Sequence, residues 1–165
     1  MHKIPFGLKK TASMVVLRNE QQFLLLKRAK EPNKNTYVPV GGKLDPFEDP
    51  ITAAIRETKE ETGILIQDPK YGGYLIESSP TAYNWQCHIY MADIDYQDPP
   101  YCDEGILEWI HFDQLKDIPS PPTDWQIYQY LVQGKPFAFN AIYNEQLQLL
   151  SMKEEIEGIM VIGND

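Results

Sequence analysis

The sequence predicts an α+β protein, a mixed β-sheet sandwich carrying two helices. Short apolar runs, several of them alternating, recur from Thr11 to Met152 and read as strands. Helix start and stop signals coincide in two stretches, one mid-chain over about residues 50–62 and one late over about 124–133. A chain of 165 residues, 42% hydrophobic and 12% aromatic, suits one domain over 1–165 with a core of its own.

The N-terminal MHKIPFGLKK has no apolar run long enough for a signal peptide. Thr11 to Leu17 and Phe23 to Lys27 are apolar runs joined by Asn19-Glu20-Gln21-Gln22, which predicts a hairpin. The second run ends in Lys27-Arg28-Ala29-Lys30. A polar loop, Glu31 to Thr36, leads into Tyr37-Val38-Pro39-Val40, kept extended by Pro39.

Next comes GGKLDPFEDPITAAIRETKEETGI, Gly41 to Ile64. Asp49 is placed to cap a helix whose first position is Pro50, where the missing N–H is no loss, and Gly63 supplies a left-handed stop. Ile51, Ala54, Ile55, Thr58 and Thr62 then share one side and are expected to pack on the sheet. Glu57, Glu60 and Glu61 stand at i, i+3 and i+4 on another side, with small Ala53 one turn earlier. Like charges at that spacing weaken an isolated helix. A hard divalent cation would repay the arrangement, since Mg²⁺ prefers carboxylate oxygens and often works beside phosphates. A solvated acidic face is the alternative reading of the cluster alone.

Beyond the helix, Ile64 to Ile66 is expected as a strand, Asp68-Pro69 as a turn, and Tyr71 to Glu77 and Trp85 to Ile94 as longer strands. Tyr74, Tyr83, Trp85 and Tyr90 are candidates for stacking on a base or for ordinary strand packing. Asp95 to Glu104 reads as an acidic loop and Gly105 to His111 as a strand. A helical turn at Phe112 to Lys116 precedes the late helix, which Gly134 ends. Pro136 to Tyr143 and Leu147 to Met152 form a final hairpin. The tail from Lys153 is either an edge strand or loose.

The spacing of Gly42, Glu48, Arg56-Glu57, Thr58, Glu60-Glu61 and Gly63-Ile64 resembles the signature of the Nudix hydrolases. Thr58 departs from the larger aliphatic residue usual there. The resemblance implies an α/β/α sandwich with a mixed β-sheet and a Mg²⁺-dependent hydrolase, with Mn²⁺ as an alternative ion. It also implies that Glu57 and Glu61 are the principal metal ligands, that Glu60 completes the cluster and that the Gly41 carbonyl adds an oxygen. Glu48 would bridge to Arg56 and orient Glu57, a supporting role of the kind that fixes ligand geometry. Lys27 and Arg28 lie where the family presents basic side chains to phosphates, though a solubilising strand end accounts for them equally; Lys43 joins them as a substrate-binding candidate. Glu104 resembles an extra metal-binding or general-base carboxylate of MutT-type members, and His88 and His111 are weaker proton-transfer candidates. Crowded carboxylates should favour activity at alkaline pH.

The likeness to purine-nucleotide sanitising relatives extends through the late helix. There Asp124 matches a base-reading acid, but Thr123 stands where a second acid is expected, and Tyr37-Val38 replaces a base-reading Asn. The expected reaction is therefore hydrolysis of a nucleoside triphosphate, ordinary or oxidised, to monophosphate and pyrophosphate. Dinucleotides or nucleotide sugars such as ADP-ribose are the alternative substrates, and a non-catalytic ligand sensor is the alternative of another class.

A net charge of −9, from 24 acidic against 15 basic residues, argues against a nucleic-acid polymer or anionic membrane as partner. A small nucleotide is compatible with it, because a cation and local lysines reverse the potential at one site. Two cysteines, Cys87 and Cys102, do not make a disulfide scaffold. The expectation is a cytoplasmic protein, with a homodimer as one permitted state.

Overall fold

A computed structural model describes residues 5–163; Met1–Ile4 of the N-terminal segment and Asn164–Asp165 of the tail lie outside the described residues. The first hairpin is longer than its apolar runs, β1 at Lys10–Asn19 and β2 at Gln22–Arg28, because the turn needs only Glu20 and Gln21. Short β3 (Tyr37–Val38) and β4 (Val40–Lys43) follow on either side of Pro39. Helix α1 spans Pro50–Thr62: Asp49 accepts from the Thr52 N–H at 2.8 Å, and Gly63, at φ 77°, donates to Lys59. Capping and proline position fixed both ends.

Ile64 to Ile66 is not a strand. Ile66 is buried in the core while Leu65 is exposed, yet the segment pairs with no neighbour. Strands β5 (Lys70–Ser78) and β6 (Trp85–Asp93) match the alternating runs. The acidic loop contains a short strand, β7 (Tyr101–Cys102), which turns at Asp103-Glu104 into β8 (Gly105–His111). A 3₁₀ turn at Phe112–Asp117 is capped by His111. Helix α2 spans Pro122–Gln133, two residues earlier than its apolar pattern, because Pro122 takes the first position. Strands β9 (Phe137–Tyr143), β10 (Leu149–Glu154) and β11 (Ile159–Ile162) close the described chain, so the tail does add an edge strand.

These strands form one sheet in the order β11-β10-β9-β5-β6-β1-β2-β8-β7, with β3 beside β2 and β4 beside β1. The β1–β6 and β5–β9 pairs are parallel and the others antiparallel, so the sheet is mixed. Strand parity divides the core into two layers. Phe23, Leu25, Leu75, Ile89 and Phe139 pack with Ile127, Tyr128 and Leu131 of α2. Val15, Leu17, Leu24, Leu26 and Tyr90 pack with Ala54 of α1. The result is the expected α/β/α sandwich. Among the described residues no helix is long and apolar enough to cross a membrane.

The buried side of α1 is Ala53, Ala54, Thr58 and Thr62; Ile51 is exposed. Small side chains bring the helix axis close to β1 and β4, and the Ser13 hydroxyl donates to the Pro50 carbonyl at 2.6 Å. Thr58 and Thr62 satisfy their buried hydroxyls on carbonyls one turn back, Ala54 and Thr58. Polar residues at these positions therefore leave nothing unpaired.

Gly105 opens β8 where it crosses β2, and a Cβ there would lie 2.0 Å from the Lys27 carbonyl oxygen. Gly105→Ala is expected to lower stability by roughly 1–3 kcal/mol, the usual range for overpacking, as measured by urea denaturation. A wild-type midpoint in the variant would show that the β7–β8 hairpin does not depend on this contact.

Candidate functional site

A cleft of about 930 Å³ crosses the open region between β4, β5, β6 and the ends of both helices. Its outer part is lined by Arg28, Gly41, Gly42, Glu57, Glu61 and Glu104; its deeper part by Leu75, Glu77, Tyr83, Trp85, Cys87 and Asp124. Leu147 and Leu149 of the β9–β10 hairpin wall one side.

At the outer end α1 runs beside β4. The Glu57 carboxylate lies against Gly42 so closely that a Cβ on that residue would be 2.6–2.8 Å from its carboxylate atoms. A larger residue there would push the Glu57 carboxylate aside. Glu61 accepts from the Gly41 N–H at 3.4 Å. Burial, opposed by that hydrogen bond and reinforced by the charges of Glu57 and Glu104, raises the Glu61 carboxyl to about 7. Glu104 faces Glu61 from the β7–β8 turn and Arg28 approaches from β2, its charge acting in the opposite sense on Glu61.

Arg56 organises the side of the helix. Its guanidinium donates to both Glu48 oxygens at 2.8 Å, to Glu57 at 2.9 Å, to Glu60 at 3.2 Å and to the Lys43 carbonyl at 3.1 Å. Asp45 sits 3.4 Å away. The two-pronged bond from Arg56 holds Glu48 down at about 2, helped by the Asp45 N–H. The loop before α1 is thus tied to the helix, and Glu57 is held from one side by arginine and from the other by Gly42.

Not every expected residue joins the cleft. Glu60, with its side chain 59% exposed, turns toward Arg56, so the three helix carboxylates do not converge. Among the described residues no three acidic, histidine or cysteine side chains are gathered as a metal cage. Glu57 and Glu61, hard oxygen donors with Glu104 facing them, still fit a Mg²⁺ that keeps most of its waters. Lys27 also lies elsewhere: strand alternation sends it to the α2 side, with its ammonium 5.8 Å from the centre of the Tyr37 ring, while Arg28 faces the cleft. Lys43 stands at the rim, 6.0 Å from the centre of the Trp85 ring. Tyr83 and Trp85 wall the deeper part; Tyr74 instead donates to Gln86, and Tyr90 is packed in the α1 layer. His88 contacts the Tyr71 hydroxyl and His111 caps the 3₁₀ turn, so neither lines the cleft.

Asp124, at the start of α2, is 5% exposed and lines the deep end; burial, with the Glu77 charge, pushes its carboxyl up to about 8. Glu77 is the residue that motif reading missed. Its signal was present: it shares parity with Gly73 and Leu75 on β5, so it is a carboxylate on the buried face of a strand.

A model of the NUDIX domain matches residues 7–131, most of the chain. The chain belongs to the Nudix family. Membership makes it a hydrolase of phosphoanhydride-linked compounds. This Nudix protein is 28% identical over 144 residues to an uncharacterised Nudix hydrolase, YvcI, of Bacillus subtilis, covering 84% of the chain and 89% of that protein. Its fold is similar to the mutator MutT protein of Bacillus halodurans, with a TM-score of 0.78 and 22% identity, covering 89% and 98% of the two chains. It is also similar to the Nudix domain of Shewanella oneidensis NrtR in complex with ADP ribose, with a TM-score of 0.66 and 18% identity, covering 78% and 89%.

Two outcomes follow. Glu61 is raised in the folded chain from an ordinary 4.5 to about 7, so its stabilising effect is complete below about 4.5 and lost as pH rises through 7. Metal-free Glu61→Gln should therefore melt at a higher temperature than metal-free wild type at pH 8, and the gap should close near pH 5. An equal gap at both pH values would contradict the burial of this carboxyl. Arg56→Ala should lower activity roughly 10–100-fold, the usual loss when the partner of a metal-holding side chain is removed. Unchanged kcat/KM would contradict the positioning of Glu57.

Proposed function

We propose that the Nudix cleft splits a nucleoside triphosphate into the monophosphate and pyrophosphate. One observation carries this reading: a carboxylate-lined outer end and an aromatic-walled deep end belong to one continuous cleft of about 930 Å³, with room for phosphates at one end and a base at the other. Glu57 and Glu61 would hold Mg²⁺ or Mn²⁺, with Glu104 and the Gly41 carbonyl as further donors; Glu60, paired with Arg56, is left to the supporting network. The ion, when bound, neutralises the charge developing on the bridging and leaving oxygens.

The chain's own groups do the rest. Arg28 and Lys43 flank the outer end and attract the phosphates, which an acidic surface would otherwise repel. Arg56 and Glu48 hold Glu57 in one orientation, so no reorganisation is needed when substrate arrives. Glu104, where it does not join the metal donors, would accept the proton of an attacking water, and Tyr83, Trp85 and Asp124, which line the deep end, would receive the base. Two free, buried cysteines suit work in the reducing cytoplasm.

ADP-ribose or another two-headed diphosphate is the second reading. A volume near the upper end of the usual range for small-molecule sites leaves room for a second group, and a Nudix domain of similar fold holds ADP ribose.

A release screen with Mg²⁺ over ordinary and oxidised nucleoside triphosphates, ADP-ribose, nucleotide sugars and dinucleoside polyphosphates tests both readings. Triphosphates should be the best substrates, EDTA should abolish turnover, and Glu57→Gln should lower kcat about 100-fold or more. Preference for ADP-ribose would install the second reading. Turnover of none of them, with binding retained, would make the protein a ligand sensor.

A further inference from the structure

Lys9, the residue before β1, is not placed like an ordinary lysine at a strand end. It is half-buried, and its ammonium donates to three neutral acceptors: the Ser78 hydroxyl at 2.7 Å, the Glu77 backbone carbonyl at 2.9 Å and the Asn84 side-chain oxygen at 3.3 Å. Three bonds use every donor that a lysine has. A lysine left to itself keeps its head in water on a flexible stem, so this one is held to a single short segment, residues 77–84.

The loop it grips, 78–84 between β5 and β6, keeps its own shape. The Ser79 hydroxyl donates to the Tyr83 carbonyl at 2.7 Å and accepts from the Thr81 N–H at 3.1 Å, and the Thr81 hydroxyl accepts from the Tyr83 N–H at 3.0 Å. Buried Asn84 donates to the Ser79 and Thr81 carbonyls and accepts from the Ser79 N–H. These bonds do not fix how the loop sits against the rest of the molecule. Lys9 does, together with the Lys10 N–H, which donates to the Asn84 carbonyl at 2.9 Å. From this loop Tyr83 reaches the cleft. Its hydroxyl is shared between the two Glu77 oxygens at 3.2 Å, and its ring meets the rings of Tyr143 and Trp85 edge-on at 5.7 and 6.3 Å. The Tyr143 hydroxyl donates to the same carboxylate. Contacts therefore run without a break from Lys9 through the loop to Tyr83, and on to Tyr143 at the end of β9.

We propose that Lys9, which does not itself line the cleft, is a positioning residue for nucleotide binding: it fixes loop 78–84, and with it Tyr83, so that the deep end is already formed when a ligand arrives. A wall formed in advance binds more tightly than one ordered by the ligand, because its side chains lose no further freedom on binding. Glu57 and Glu61 share no bond with this network, so Lys9 acts on the nucleoside part of the ligand and not on its phosphates. The proposal rests on the reading that the cleft takes a nucleotide, but it concerns binding and not the bond cut.

The test is calorimetric binding, with Mg²⁺ present, of AMP, CMP, GMP and UMP, which have no anhydride to hydrolyse, and of pyrophosphate, which has no nucleoside. For the monophosphate that wild type binds tightest, K9M, similar in length but without donors, should bind about five- to tenfold more weakly, the cost of reordering one or two side chains. S78A, which removes one acceptor, should lose about two- to threefold and decides the matter if K9M does not fold. Pyrophosphate should bind all variants as it binds wild type. Y83F should also weaken the monophosphate, and the K9M/Y83F double variant should lose less than the two single losses combined, because both act through one chain of contacts. A lysine that only stabilises the fold would lower the melting temperature of K9M and leave these affinities in place. Binding of none of the four monophosphates, wild-type affinity in K9M and S78A, pyrophosphate weakened in step, or fully additive losses would each overturn the proposal. Triphosphate turnover with wild-type monophosphate binding by K9M leaves hydrolysis standing and removes this inference. The selective losses without turnover do the reverse.

Discussion

The guanidinium of Arg56 is the contact on which the outer site depends. It gathers Asp45, Glu48, Glu57 and Glu60 around one fixed positive charge, and binds the Lys43 carbonyl as well. Without it, a loop bearing three acids, Asp45, Glu48 and Asp49, would face a helix bearing three more, and repulsion would part them. With it, the loop is clamped to the helix, and Glu57 is pressed against Gly42 with little freedom to turn. Arginine suits this place better than lysine because its planar fork donates in several directions at once. Glu61 lies beyond that fork, is drawn into burial by the Gly41 N–H, and pays for its position with a proton it would surrender to a cation.

The fold prepares this arrangement well before the site is reached. Small residues on the buried side of α1 let the helix lie close to β1 and β4, which brings its carboxylates to the mouth of the cleft. The parallel β1–β6 and β5–β9 pairs carry Trp85 and Glu77 to the deep end, and Pro122 starts α2 early enough for Asp124 to enter the same space. Acidic groups thus occupy both ends for different reasons. Those at the mouth are suited to a metal; those at depth are raised above the ordinary carboxyl range by burial.

How much of this could be read from the residues depends on how local each determinant is. Helix α1 was legible to the residue, because Asp49, Pro50 and Gly63 act on their own backbone neighbours. The Glu48–Arg56 pair was legible from spacing, since it joins a loop to the helix that follows it. Ile64 to Ile66 reads as a strand because three apolar residues run together there, but the segment pairs with no neighbour and Leu65 is exposed. Glu60 and Glu61 stand at i+3 and i+4 from Glu57, and Glu60, one turn on from Arg56, is drawn to the guanidinium while Glu61 is not. Lys27 and Arg28 are equivalent as charges, and the register of β2 with β3 and β8 sends one to each face. Glu77 reads as an ordinary strand end, because Tyr83 reaches it only across the turn that follows and Tyr143 comes from a distant strand.

The measurement that reaches the central claim most directly is anomalous diffraction from Mn²⁺-soaked crystals. The account predicts one strong peak at the mouth of the cleft, bonded to carboxylate oxygens of both Glu57 and Glu61, and its loss in crystals of Arg56→Ala. A peak remote from these two residues, or one undisturbed when Arg56 is removed, would contradict it.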